Sequence, residues 1–398
     1  MLNSVVTWID APETATDGPL SGMRVGVKDN IDVAGVASTC GSRFFADRIA
    51  RTDADVVRLL RAAGAIVTSK LNMAEFAVGV TSQNSAAGGV RNPWDLERVP
   101  AGSSGGSGAA VAAGLVDASL GTDTGGSVRL PASACGVAGL RPTWGAISNG
   151  GVFPVSARFD TVGPMARRVA DVARVFDVLT TRRVTSGAAA RRVGVPRTFI
   201  TDDIDPAIAA AVETVAGAMA RLGYEIVPID IPGVEDAQDV VYTLLYSEVA
   251  QLHRDRLARS PSLFQKATFE RVSLGLDISE SQRAAAESSL LRYRRTLART
   301  FGEVDVVLTP TMPIDVPPVE ESDDVVAQSR RMGQFSYPWS LHEGPTLAIP
   351  VGFHPESGMP IGAQLTAAAD REAQLFELGQ RYQQITNWHN VIPPIMMG

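Results

Sequence analysis

Hydrophobic positions along the chain switch between two periods, and the switches outline strands alternating with amphipathic helices, the pattern of an α/β protein. Residues 23–27 form a short apolar run that predicts a strand ending at Lys28. Thr52 stands at a helix N-cap position with Asp55 three residues on. Val56, Leu59, Leu60 and Ala63 then give one apolar face, and Gly64 ends the helix. Residues 65–68 predict the next strand. Asp205-Pro206 opens a second helix, with Ile208, Val212, Val215, Met219 and Leu222 on one side and Gly223 as its stop. Residues 224–229 and 304–308 predict further strands, the second running into Thr309-Pro310. Residues 231–302 read as mainly helical and rich in Arg, Glu and Ala. There is no repeat of fixed period and no clear interdomain linker. The parsing is therefore one domain over residues 1–398, with a mainly helical variable insertion or cap at about 231–302.

Composition narrows the function classes. With 398 residues, 45% of them hydrophobic and 20% charged, the chain has enough apolar material for a sizeable core. A formal net charge of −7 argues against a large nucleic-acid footprint, which needs clustered Lys and Arg. The pairs Arg167-Arg168 and Arg330-Arg331 read as solvated surface. Two cysteines, Cys40 and Cys135, do not make a disulfide framework. The four histidines (His253, His342, His354 and His389) are scattered, and no CxxC pair or His/Cys cluster points to a metal. There is no signal-peptide pattern and no run of 18 apolar residues, so a soluble cytoplasmic protein without a membrane span is expected.

The chemistry concentrates between residues 101 and 142. Here stand Gly102-Ser103-Ser104-Gly105-Gly106-Ser107 and Gly121-Thr122-Asp123-Thr124-Gly125-Gly126-Ser127-Val128-Arg129. Glycine turns let consecutive backbone amides approach one reacting oxygen, which makes an oxyanion hole, and a serine ending such a turn is a natural nucleophile. Rival readings exist. A phosphate-cradling loop would need Gly-Lys-Ser/Thr, which does not follow. Gly102-Ser103-Ser104-Gly105-Gly106 formally matches a nucleophile elbow around Ser104, for which His342 with Glu343, or His389, would be the later bases. A tight-turn loop with no chemistry is the third reading.

These blocks resemble the signature of the amidase signature family. Ala101-Gly102-Ser103-Ser104-Gly105-Gly106-Ser107 and Gly121 to Ala132 match its two central blocks, and Cys135-Gly136 and Gly139-Leu140-Arg141-Pro142 continue the match. Pro19-Leu20-Ser21-Gly22-Met23 leading to Val27-Lys28-Asp29-Asn30 is similar to its lysine block. Asp160-Thr161-Val162-Gly163-Pro164-Met165-Ala166-Arg167, Asp305-Val306-Val307-Leu308-Thr309-Pro310-Thr311 and Ile349-Pro350-Val351-Gly352-Phe353 match further elements. The zone at 185–300 matches weakly. The resemblance implies a mixed twisted sheet covered by helices on both faces, with the site where the glycine-rich loops converge. It implies hydrolysis of a small or aryl-containing carboxamide to carboxylate and ammonia through an acyl-serine. Ser127 would be the nucleophile, Ser103 the bridging serine on a cis peptide bond, and Lys28 the base. The amides of Thr124, Gly125, Gly126 and Ser127 would form the oxyanion hole. No metal or organic cofactor is implied. The partner is a small-molecule amide, with no nucleic acid and no membrane. The alternatives are a glutaminase subunit delivering ammonia to a partner, or a non-catalytic binding protein.

Elementary chemistry sets a condition on this set. A serine hydroxyl needs a base to take its proton, and a lysine serves only when neutral, far from its ordinary state with a pKa near 10.4. Burial without a carboxylate partner would lower that pKa. Asp29 follows Lys28 directly, but adjacent strand residues point to opposite faces, so no salt bridge between them is expected. Asp123 and Arg129 read as a buried strut holding the nucleophile loop, and Cys135 as core filler at a helix start. Phe335, Tyr337, Trp339 and His342 precede the strand containing Ile349-Pro350, where relatives line the acyl pocket; Tyr337, Trp339 and His342 are the candidate substrate contacts. Glu343 is either a reader of the substrate or solvated, and the tail from Trp388, with His389, reads as terminal packing. Only about 20 residues precede the lysine block. Most relatives carry there a helical segment that covers part of the fold or helps protomers pair, so the resemblance leaves a homodimer open.

Overall fold

The computed structural model describes residues 1–9, 17–182, 189–200, 203–320 and 322–396. Among the described residues, eleven strands form one sheet. They are β1 (Val5–Trp8), β2 (Arg24–Lys28), β3 (Ile66–Leu71), β4 (Ala118–Asp123), β5 (Ala138–Arg141), β6 (Thr161–Ala166), β7 (Arg192–Pro196), β8 (Glu225–Ile229), β9 (Val306–Pro310), β10 (Thr346–Phe353) and β11 (Pro360–Ala367). Their order is β1-β3-β2-β4-β6-β5-β10-β11-β9-β7-β8. β2 pairs in parallel with both β3 and β4, and β7 with both β8 and β9. The run from β4 through β6, β5, β10 and β11 to β9 is antiparallel. The sheet is therefore mixed, as expected.

Strand alternation explains why both faces are covered. Val25, Val27 and Leu120 join Leu308, Leu347 and Leu365 in one core cluster, under helices Val169–Leu179, Pro206–Arg221 and Glu372–Ile385. Leu71, Met165 and Ala348 belong to a second cluster with Ala109, Val128 and Ala132 from helices Gly105–Ala112 and Arg129–Cys135 and their flanks. Each fully buried Leu or Val contributes about 1.5–3 kcal/mol relative to exposure, so the alternation fixes the register of the central strands. Helices Ala237–Leu252, Arg254–Arg259, Lys266–Ser273 and Glu280–Glu303 occupy the expected helical stretch. The Arg256 guanidinium lies 5.1 Å from the ring centre of Phe45 and also faces Phe44, Phe76 and Phe153, which ties these helices to loops beside the sheet.

Asp205 caps its helix as expected, accepting from the Ala207 amide at 2.8 Å, and Gly64 and Gly223 take positive φ where their helices stop. The Thr52 cap does not form. Helix Asp55–Ala62 has Ala54 at its N-cap, and the Asp55 carboxylate instead accepts from Ser148 Oγ at 2.7 Å. Cys135 ends its helix rather than starting it; it is buried, and both cysteines are free. Among the described residues no helix is long and apolar enough to cross a membrane.

Candidate active site

β2, β3 and β4 run the same way, so their carboxyl ends open on one edge of the sheet, where loops leaving parallel strands ordinarily build sites. Lys28 is the last residue of β2. Ser103 precedes helix Gly105–Ala112, and Ser127 lies in the turn between β4 and helix Arg129–Cys135. The chain reaches this edge three times and brings one amine and two hydroxyls to it.

The Lys28 side chain is fully buried. Its Nζ donates to Ser103 Oγ at 2.7 Å and to Thr122 Oγ1 at 2.8 Å. Thr122 Oγ1 also accepts from Asn30 Nδ2 at 3.3 Å. Among the described residues no carboxylate pairs with Lys28. Burial pulls its pKa down to about 7, against the more distant charges of Asp123 and Asp160. Asp29 points elsewhere, as strand alternation requires: it accepts from the Thr39 amide at 2.9 Å and pairs with Lys70 Nζ at 3.2 Å.

The Gly102–Ser103 peptide bond is cis. Ser104 is not a nucleophile elbow. Its buried hydroxyl donates to the Thr122 carbonyl at 3.2 Å and accepts from the Thr122 amide at 3.3 Å, while His342 is turned away onto the Ala367 carbonyl at 2.9 Å. The Ser127 hydroxyl makes no hydrogen bond among the described residues and lines a cavity.

The turn carrying Ser127 is pinned from below by Asp123. Its carboxylate accepts from the amides of Gly126 at 2.9 Å and Val128 at 3.1 Å and pairs with Arg129 at 3.0 Å. Burial alone would neutralise this acid, but Arg129 and Arg141 hold it well below the usual carboxylate range. Gly126 sits at φ +127°, and a Cβ there would collide with the Ser336 side chain, so only glycine fits. Its amide donates to the Asp123 carboxylate, where the resemblance implied an oxyanion donor. Among the described residues the amides of Thr124, Gly125 and Ser127 have no acceptor.

The cavity beside Ser127 is small, about 40 Å³, room for a few waters. Thr124, Gly125 and Ser127 form one side, and Val78, Leu130, Val155, Leu245, Tyr246, Ser329 and Tyr337 form others. None of its lining side chains is charged. Of the expected substrate contacts only Tyr337 is there. Trp339 is fully buried and donates its indole N–H to Thr309 Oγ1 at 3.2 Å; His342 stacks on Phe301. Helix Tyr337–Leu341 explains this, since its turn aims successive side chains at different neighbours. Glu343 pairs with Arg294 at 2.7 Å instead of facing the cavity. Thr122, Asp160, Leu245 and Tyr246 were not singled out from sequence. Thr122 lies inside a matched block and Asp160 opens another; the other two come from the weakly matching zone, which carries no local signal.

A family model described as Amidase matches residues 8–376. The chain is 35% identical over 428 residues to a glutamyl-tRNA(Gln) amidotransferase subunit of Roseiflexus sp. (strain RS-1), covering 97% of this chain and 87% of that protein. It is similar to the structure of the corresponding glutamyl-tRNA(Gln) amidotransferase subunit from Thermotoga maritima, with a TM-score of 0.89 at 28% identity over 99% of this chain and 91% of that one. It is also similar to 6-aminohexanoate cyclic dimer hydrolase solved with substrate, with a TM-score of 0.85 at 28% identity over 96% and 88%.

Proposed function

This chain belongs to the amidase family, enzymes that hydrolyse carbon–nitrogen bonds, and from that premise we propose that it cleaves a small, uncharged carboxamide through an acyl-serine, with Ser127 as nucleophile, Ser103 as bridging serine and Lys28 as base. The observation that carries this reading is a buried lysine amine caged by hydroxyls, 2.7 Å from Ser103, with a pKa drawn down to about 7. A neutral amine has a lone pair to receive the Ser103 proton, and Ser103 in turn takes the proton of Ser127 as its oxygen attacks the carbonyl carbon. This relay requires a Ser103–Ser127 hydrogen bond in the substrate-bound state. The amides of Thr124, Gly125 and Ser127 receive the oxyanion. The C–N bond then breaks as the proton returns through Ser103 to the leaving nitrogen. Water, deprotonated by the same relay, attacks the acyl-Ser127 ester and releases the carboxylate. Residues 1–398 act as one domain, in which the helical stretch serves as a cap and supplies Leu245 and Tyr246 to the cavity.

A second reading, a glutaminase that passes ammonia to a partner, is favoured by the names of the curated relatives. The uncharged lining weighs against it, because a glutamine α-amino and α-carboxylate call for charged partners. Ammonia release from acetamide, malonamide, benzamide, indole-3-acetamide, biuret and glutamine separates the two. The expected result is turnover of neutral amides with kcat/KM on the order of tenfold or more above glutamine. Preference for glutamine, with co-purification of a second polypeptide, would establish the second reading instead.

A further inference from the structure

Asp160, immediately before β6, is a buried carboxylate that the reaction above does not use. One of its oxygens accepts from Thr124 Oγ1 at 2.6 Å. The other accepts from the backbone amides of Val155 at 2.8 Å and Ser156 at 3.0 Å. Thr124 and Val155 both line the cavity, and Thr124 carries one of the free amides assigned above to the oxyanion. A single carboxylate therefore joins the oxyanion turn to the opposite wall. We propose that Asp160 is a positioning residue of this active site, clamping the amide turn at Thr124 to the cavity wall at Val155 and Ser156. The inference rests on the assignment of Ser127, Ser103 and Lys28.

The clamp has a second consequence. The titratable groups acting on Lys28 are Asp123, Asp160 and the Cys40 thiol, which burial keeps protonated and neutral; its direct contacts, Ser103 and Thr122, are neutral. Asp123 is compensated by Arg129 and Arg141. Asp160 has no ion pair within 4 Å among the described residues, and Arg141 pulls on it from farther away. Burial raises its pKa to about 6, against its bonds to Thr124 and the two amides. Above that pH its negative charge favours the protonated form of Lys28. Removing the charge while keeping the side chain's shape therefore lowers the pKa of Lys28 further, and the acid limb of activity moves to lower pH. A carboxylate that stayed neutral across this range would leave that limb in place.

Two near-isosteric variants separate the link from the charge. Thr124→Val breaks the link and keeps the charge; Asp160→Asn removes the charge and retains oxygen and nitrogen where the bonds are made. Steady-state kinetics are run from pH 5 to 9, with kcat expressed per site labelled by a fluorophosphonate so that misfolded protein is not counted. The expected result for Thr124→Val is a kcat loss of about ten- to a hundredfold with little change in KM and an unmoved limb. For Asp160→Asn the limb moves acid by about half a pH unit or more. The double variant costs less than the product of the two single kcat losses. The inference is overturned if both variants keep kcat within about twofold of wild type and the same limb while Ser127→Ala is inactive. Turnover by Ser127→Ala would overturn the underlying assignment instead.

Discussion

Two lysines on neighbouring strands, Lys28 on β2 and Lys70 on β3, are both fully buried, and the protein treats them in opposite ways. The register pairs Val27 with Lys70 and Lys28 with Leu71, so the two side chains leave the sheet on opposite faces. Lys70 meets Asp29 at 3.2 Å, Ser38 Oγ at 2.6 Å and the Ala37 carbonyl at 3.2 Å. Lys28 meets only hydroxyls. Burial lowers the pKa of both, but for Lys70 the adjacent Asp29 charge and hydrogen bond push back, while for Lys28 the opposing charges are remote. The difference teaches that a buried lysine stays close to neutrality where the sheet denies it a carboxylate, the condition a lysine base needs. On the proposed mechanism Lys70 serves the fold and Lys28 the chemistry.

The largest test of that contrast is loss of function. Ser127→Ala or Lys28→Met is expected to lower kcat by at least about 10⁴-fold while leaving a folded protein, as removing one member of a nucleophile–base unit does. Lys70→Met should do the reverse. It strands Asp29 without its cation in the interior, and thermal or urea unfolding should show a loss of about 3–5 kcal/mol, with turnover per labelled site largely kept. If Lys70→Met abolished turnover per labelled site, the division of labour would be wrong. A smaller change is expected for Thr122→Val, which removes one of the two oxygens holding the Lys28 amine; kcat should fall about tenfold.

Strand and loop logic carried much of this in the sequence. The opposition of Lys28 and Asp29 follows from a period of two, and Asp205 and Gly223 mark their helix by backbone chemistry alone. Long-range contacts carried the rest. Thr52 matches a cap by spacing, yet Ser148, distant in sequence, takes the Asp55 carboxylate and the helix starts later. Gly126 looks like an amide donor in a glycine run until the Asp123 side chain folds back onto it. Trp339 and His342 are close in sequence to Tyr337 but are captured by β9 and by Ala367, and no local pattern distinguishes the three. The two central blocks and the lysine block were legible through their resemblance to the family's blocks; the cavity's outer wall, from residues of the helical stretch, was not.

The smallest expected effect is on stability. Native Lys28 holds its proton less tightly than the unfolded chain, with a pKa of about 7 against the ordinary 10.5, so folding releases a proton between those values and stability rises with pH across that window. Below about pH 7 the buried amine is charged and costs the most. Lys28→Met should therefore gain on the order of 1 kcal/mol at pH 6, measured by urea unfolding, and the gain should shrink as pH rises from 7 toward 10. A pH-independent difference would mean that the native amine keeps the pKa it has in the unfolded chain.

The most direct measurement is an NMR titration of the lysine ε-carbons in protein labelled on lysine, with Lys28 and Lys70 assigned by the Lys28→Met and Lys70→Met variants. The account requires Lys28 to lose its proton near pH 7 and Lys70 to keep its own to higher pH. A Lys28 signal that stays protonated alongside Lys70 up to about pH 10 would contradict it.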